Sequence, residues 1–121
     1  MRLDADAVER VLARWRRVAR EATCQSRRVR LPVLLGPLDV SGAVATGARR
    51  CDLDGELPAA TTTALCIGPE GGWSDAERAA REEAVSLGET VLRTETAAIT
   101  AGVLLTAARG AARHGTRAEA Q

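Results

Sequence analysis

The sequence predicts an α/β domain built on a parallel sheet, and three observations predict it. A β-branched apolar run at 61–67 opens directly into the glycine-rich turn GPEGG at 68–72 and then a helix start. A second short apolar stretch, 90–93, opens in the same way into a final helix. Strand, loop, helix, strand, helix is the rhythm of a parallel α/β sheet. At 121 residues, 45% hydrophobic and 27% charged, the chain is expected to form one domain of modest core over 1–121.

In chain order, Asp6 with Glu9 three residues on reads as a capped helix start. Val8, Val11, Leu12, Trp15, Val18, Ala19 and Ala22 then share one face at helical spacing, which carries the helix to about Cys24. Pro32, Gly36 and Pro37 break the chain into an extended connection. Residues 40–48 read as a short helix or turn, 48–53 as a short strand, and Asp54, Gly55 and Pro58 as a loop. After the strand at 61–67, Ser74 and Glu77 make a capping box, and the helix they open is expected to reach about Ser86. Residues 90–93 form the next strand, 95–113 the last helix, and 115–121 a frayed polar tail. The last helix is apolar on nearly every side, from Ala97 and Ile99 through Val103 and Leu104 to Ala112. In so small a chain this implies a second copy, or a helix threaded through its own fold. Gly102 and Gly110 inside it point to close approach of backbones.

Composition narrows the chemistry. No run approaches the about 20 apolar residues that span a bilayer, and the N-terminus carries no signal-peptide stretch. Cys24, Cys51 and Cys66 lie far apart without CxxC spacing, which excludes a recognisable zinc site and points to a reducing cytoplasm. His114 is the sole histidine, so most histidine-based catalysis and metal chemistry is removed. All 17 basic side chains are arginine, and nine of them precede residue 31 against four acids there. Such a basic first third marks either an anionic partner or a solvated helix surface.

Three clusters could carry function. The GPEGG turn lies where open α/β sheets bind ligands, outside the carboxyl end of a strand, although a plain tight turn reads the same way. It matches neither GxGxxG nor the P-loop spacing, and Glu70 within it repels phosphate. The stretch 87–97, with Leu87, Gly88, Leu92, Arg93, Glu95 and Thr96, is a second polar turn before a helix. Two such turns could wall one pocket, or simply cap helices. Gln25, Arg27, Arg28 and Arg30 end the first helix with planar cations suited to phosphate, or complement its dipole.

The strings IGPEGGWS at 67–74, Leu87-Gly88 and LRTETA at 92–97 closely resemble the RsmE family, as does the pattern of Trp15, Glu21, Ala22, Gln25, Ser26, Arg27, Arg28 and Pro32. These are SPOUT-class methyltransferases that place a methyl group on uridine N3 of small-subunit (16S) ribosomal RNA. The resemblance spans roughly residues 10–112 and implies a parallel-sheet trefoil knot, a homodimer through residues 97–112, and S-adenosyl-L-methionine as methyl donor. It assigns donor binding to Ile67, Gly68, Pro69, Gly71, Gly72, Leu87, Gly88, Leu92 and Thr96. Catalytic candidates are Arg28, Glu70, Arg93 and Glu95; RNA-binding candidates are Gln25, Arg27, Arg28 and Arg30; no metal is implied. Family members begin with a PUA-like barrel and the first strands of the methyltransferase domain. This chain opens near the helix before QSRR, so it is expected to be the C-terminal part of such a protein. Cys24 and Thr90 stand where the family carries an acid and a base. The competing reading is a truncated, non-catalytic knotted dimer that binds donor or RNA without turnover.

Overall fold

The computed structural model describes residues 4–80 and 83–118, with side chains to residue 114. It divides into two compact units, Met1–Leu38 and Asp39–Gln121.

The first unit carries helix α1, Ala5–Gln25, followed by irregular chain. Its N-cap is Asp4, in extended conformation and without a side-chain cap bond, so the expected start at Asp6 moves two residues earlier. Val8 N–H already donates to the Asp4 carbonyl at 3.0 Å, which leaves Asp6 inside the first turn, where an acid complements the dipole. The helix ends in a Schellman closure: Arg28 N–H donates to Thr23 O at 3.1 Å and Arg27 N–H to Cys24 O at 3.2 Å. That closure needs a left-handed residue, and Arg27 supplies it at φ 53°. Leu12 and Thr23 are buried, whereas Trp15 and Val18 stand more than half exposed.

The second unit is a three-stranded parallel sheet in the order β2-β1-β3. Helix α2, Val40–Ala45, leads in, capped by Asp39, whose carboxylate accepts from Gly42 N–H at 2.7 Å. Strand β1, Arg49–Glu56, is central; β2, Leu65–Cys66, and β3, Ala84–Val85, flank it. The expected loop at Asp54 and Gly55 therefore lies inside a strand. Both Cys51 and Glu56 pair with Val85, so the residues between them bulge out of the ladder.

Three further expectations change. The strand at 61–67 shrinks to Leu65–Cys66, because buried Thr62 closes a turn on Ala59: its hydroxyl accepts Ala59 N–H at 3.2 Å and its own N–H donates back at 2.9 Å. Helix α3 runs Asp75–Ala80; residues 81–82 lie outside the described residues, and Ala84–Val85 is extended, so the helix does not reach Ser86. The strand expected at 90–93 is irregular, since β1 pairs instead with Ala84–Val85, where Val85 is 2% exposed.

Helix α4 spans Thr94–Ala118, taking in part of the expected tail; residues 119–121 lie outside the described residues. It buries Ala97 and Ala101, one turn apart, while Ile99 (70%) and Val103 (61%) face out. An added Cβ at Gly102 or Gly110 meets nothing within 4 Å, so within one chain no backbone presses on either. Arg109 reaches back to the Thr62 carbonyl at 3.2 Å. The core is Ala48, Val85, Ala97 and Ala101 around buried Arg50, Thr62 and Ser86. Arg50 is tolerated there because Asp52 and Asp54 (3.3 Å) meet its guanidinium.

Candidate functional site

Three stretches of the second unit enclose an open cavity of about 230 Å³. That is somewhat below the span of about 300–1,000 Å³ usual for small-molecule sites.

The first wall is the glycine loop. Gly72 N–H donates to the Pro69 carbonyl at 2.9 Å, and Gly72 itself takes φ +75°, a conformation that side-chain-bearing residues adopt at a cost. Nothing lies within 4 Å of where its Cβ would stand, so the backbone there is open to a ligand. At Gly68 a Cβ would meet the Trp73 indole at 2.9 Å. Trp73 is pinned by its Nε1–H, which donates to the Cys51 carbonyl at 2.9 Å. The capping box forms as expected: Ser74 N–H donates to Glu77 Oε2 at 2.8 Å and Glu77 N–H to Ser74 Oγ at 3.3 Å. The backbone hydrogen bond from Ser74, helped by its hydroxyl, holds the Glu77 carboxyl below its ordinary value.

The second wall is the turn 87–92. Ser86 Oγ–H donates to Gly88 O at 2.9 Å and accepts Gly88 N–H at 3.2 Å. Thr94, opening α4, donates its hydroxyl to the Gly68 carbonyl at 3.3 Å and so ties the two turns together. The third wall is the bulge of β1, with Cys51, Asp52 and Leu53, joined by Arg78 from α3. Burial, with Cys66 nearby, pushes the Cys51 thiol up to about 11; burial raises Cys66 too. Both thiols are neutral near pH 7, poor as nucleophiles or metal ligands. Among the described residues, no group of three or more His, Cys, Asp or Glu could hold a metal ion.

The structure thus brings Ile67, Gly68, Pro69, Gly72, Leu87, Gly88 and Leu92 onto one cavity, with Glu70 at its exposed side. Gly71 and Thr96, expected with them, are exposed and outside the lining, because the loop turns Gly71 outward and Thr96 lies on the outer side of α4. Arg93 and Glu95 are likewise exposed and outside it. Gln25, Arg27, Arg28 and Arg30 are exposed in the first unit. Sequence reasoning missed Cys51, Asp52 and Leu53, since nothing local marks a bulge in a strand as a cavity wall, and Arg78, which belongs to no motif.

The family model and the curated relatives point to one family, and a solved structure shares the fold. Residues 2–106 match the family model of the RNA methyltransferase domain. Proteins named ribosomal RNA small subunit methyltransferase E from Mycobacterium bovis and Mycobacterium tuberculosis are each 40% identical over 118 residues. The match takes in 81% of this chain and 45% of theirs, so the chain spans under half the length of these relatives. A solved structure described as that of a hypothetical protein superposes with TM-score 0.68 over 89% of this chain and 49% of its own, at 24% identity, a likeness of fold.

Proposed function

The chain belongs to the RNA methyltransferase domain family, and on that premise we propose that its cavity binds S-adenosylmethionine for methylation of uridine N3 in small-subunit ribosomal RNA. The observation that carries this reading is the convergence of the glycine loop and the turn 87–92 on one cavity, tied by Thr94 to Gly68. The residues present fit the donor: an open backbone at Gly72, apolar walls from Ile67, Leu87 and Leu92, and charged groups at Asp52, Glu70 and Arg78. Bound there, the donor supplies an electrophilic methyl group.

The protein's part is to hold the two reactants in line, a contribution that can reach about 7–11 kcal/mol of the barrier. Uridine N3 loses its proton as its bond to the methyl carbon forms and the carbon–sulfur bond breaks. Glu70 is the lining carboxylate without an ion pair among the described residues, and we assign it the acceptor role. Arg93 and Glu95, outside the lining, are left to contacts with RNA beyond the cavity. Exposed Arg27, Arg28 and Arg30 suit phosphate, and affinity for RNA should fall steeply with salt. The exposed Ile99 and Val103 support a homodimer through α4, and the parallel sheet is compatible with a trefoil knot. Among the described residues no helix is long and apolar enough to cross a membrane; the proposed ribosomal substrate supports a cytoplasmic location. Calorimetry with S-adenosylmethionine, then single-turnover transfer to small-subunit RNA, tests the reading. No binding refutes it, and binding without transfer favours the non-catalytic module instead.

A further inference from the structure

One ion-paired cluster in the cavity wall, Asp52 with Arg50 and Arg78, has so far been given no role beyond its charge. Asp52, its side chain 18% exposed, is held from three sides: the Arg50 and Arg78 guanidiniums both donate to Oδ2, and Leu53 N–H donates to Oδ1 at 2.9 Å. Arg50 is buried at 6% and shares Asp54 as well, at 3.3 Å. Arg78 differs. Its side chain is 42% exposed on the cavity wall, one terminal nitrogen is engaged, and its other nitrogens have no partner among the described residues. It is also the one cation among the described lining residues.

A guanidinium anchored at one end by a fixed carboxylate keeps its remaining donors in a rigid fork, so little freedom is lost when a ligand oxyanion meets them. Asp54, the second acid of the cluster, is 60% exposed and screened by water, so it offsets this charge weakly. We propose that Arg78, positioned by Asp52, is the oxyanion seat of the cavity, and that it takes the α-carboxylate of the methyl donor rather than a phosphate of the RNA. This rests on the donor reading above. The position favours the carboxylate because Arg78 lines the same cavity as Gly72 and Trp73 of the glycine loop assigned to the donor, where a small terminal group enters more readily than a chain phosphate with its flanking sugars. Arg78 thereby becomes a specificity residue: it lets the cavity separate the intact donor from adenosine fragments that lack the amino-acid end.

Two ligands isolate that contact. S-adenosylhomocysteine carries the carboxylate; 5′-methylthioadenosine keeps the adenosyl thioether and lacks the amino-acid end. In calorimetry on the full chain, Arg78→Ala should weaken S-adenosylhomocysteine by about tenfold or more, the scale of a charge-assisted hydrogen bond, and leave methylthioadenosine unchanged. Arg78→Lys should recover part of the loss, and circular dichroism should show both variants folded. The ratio of the two affinities is the deciding readout, because general damage lowers both together. Equal losses on both ligands, or no loss on either, would overturn the proposal. So would a fall in affinity for a small-subunit RNA fragment with both adenosyl ligands unaffected, which would make the oxyanion a phosphate. Wild-type chain that binds neither ligand would remove the donor reading and this inference together, whereas Arg78→Ala acting equally on both removes this inference alone.

Discussion

Replacing Gly55 by alanine measures how closely the central strand lies against β3. An ideal Cβ there falls 2.5 Å from the carbonyl carbon of Ala84 and the nitrogen of Val85, and 2.6 Å from the Ala84 oxygen. These are backbone atoms, so no rotamer change relieves the overlap. Carbon contacts are comfortable at about 3.5–4.0 Å, so the strands must part by about 1 Å. Ser86 N–H, which donates to the Glu56 carbonyl at 2.8 Å, would then lose its bond. Overpacking costs about 1–3 kcal/mol and the bond about 1 kcal/mol, while a stiffer unfolded chain offsets about 0.4–1 kcal/mol. The expected loss is about 1–3.5 kcal/mol, a large share of the about 5–15 kcal/mol that holds a domain together. Urea unfolding followed by circular dichroism should show a lower midpoint at unchanged slope. Gly102→Ala is the control: its Cβ meets nothing within 4 Å, and inside a helix it should gain about 0.5–1 kcal/mol. A Gly55→Ala chain as stable as wild type would refute the close approach of β1 to β3.

Gly72→Val places a β-branched residue at φ +75° and should cost about 1–3 kcal/mol of stability along with affinity for S-adenosylhomocysteine. Gly71→Ala, outside the lining, should spare that affinity, so equal defects in calorimetry would count against the cavity's boundary. The Cys51 thiol stays neutral in the folded chain up to about pH 11 while the unfolded thiol ionises from its ordinary value of 9.0. Its contribution is therefore whole below pH 9 and is lost as pH rises towards about 11; Cys51→Ala should flatten the urea midpoint over that window, and an unchanged slope would refute the burial. Val103→Glu, at a site 61% exposed in the single chain, should leave monomer stability untouched and shift light scattering from dimer to monomer. Wild type running as a monomer at micromolar concentration would sink the α4 interface.

What the sequence revealed was mostly short-range. The Ser74–Glu77 box lies within one turn of its partner, and α4 announces itself by length and periodicity. Strand positions were harder, because parallel pairing is decided by residues far apart. Thr90 and Val91 carry stronger β propensity than Ala84, yet Ala84–Val85 is what β1 meets. Asp54 and Gly55 read as a turn from their chemistry, whereas Gly55 marks close backbone approach inside a strand. The two glycine-bearing turns were legible as walls because each follows an apolar run. The Asp52–Arg78 pair was not, since it joins β1 to α3 and neither residue belongs to a motif.

The sheet order has a consequence for how the molecule is made. No two neighbouring strands are joined by a hairpin, and β3 reaches β1 only after β2 and α3 have passed. Helices α1 and α4 can form in about a microsecond on local bonds, but every sheet contact waits on closure of a long loop. Until β3 docks, one edge of β1 stands open, and an open edge pairs with whatever strand arrives first. Recovery of folded protein should therefore depend on chain concentration during refolding, with dilute chains closing on themselves and concentrated ones on each other.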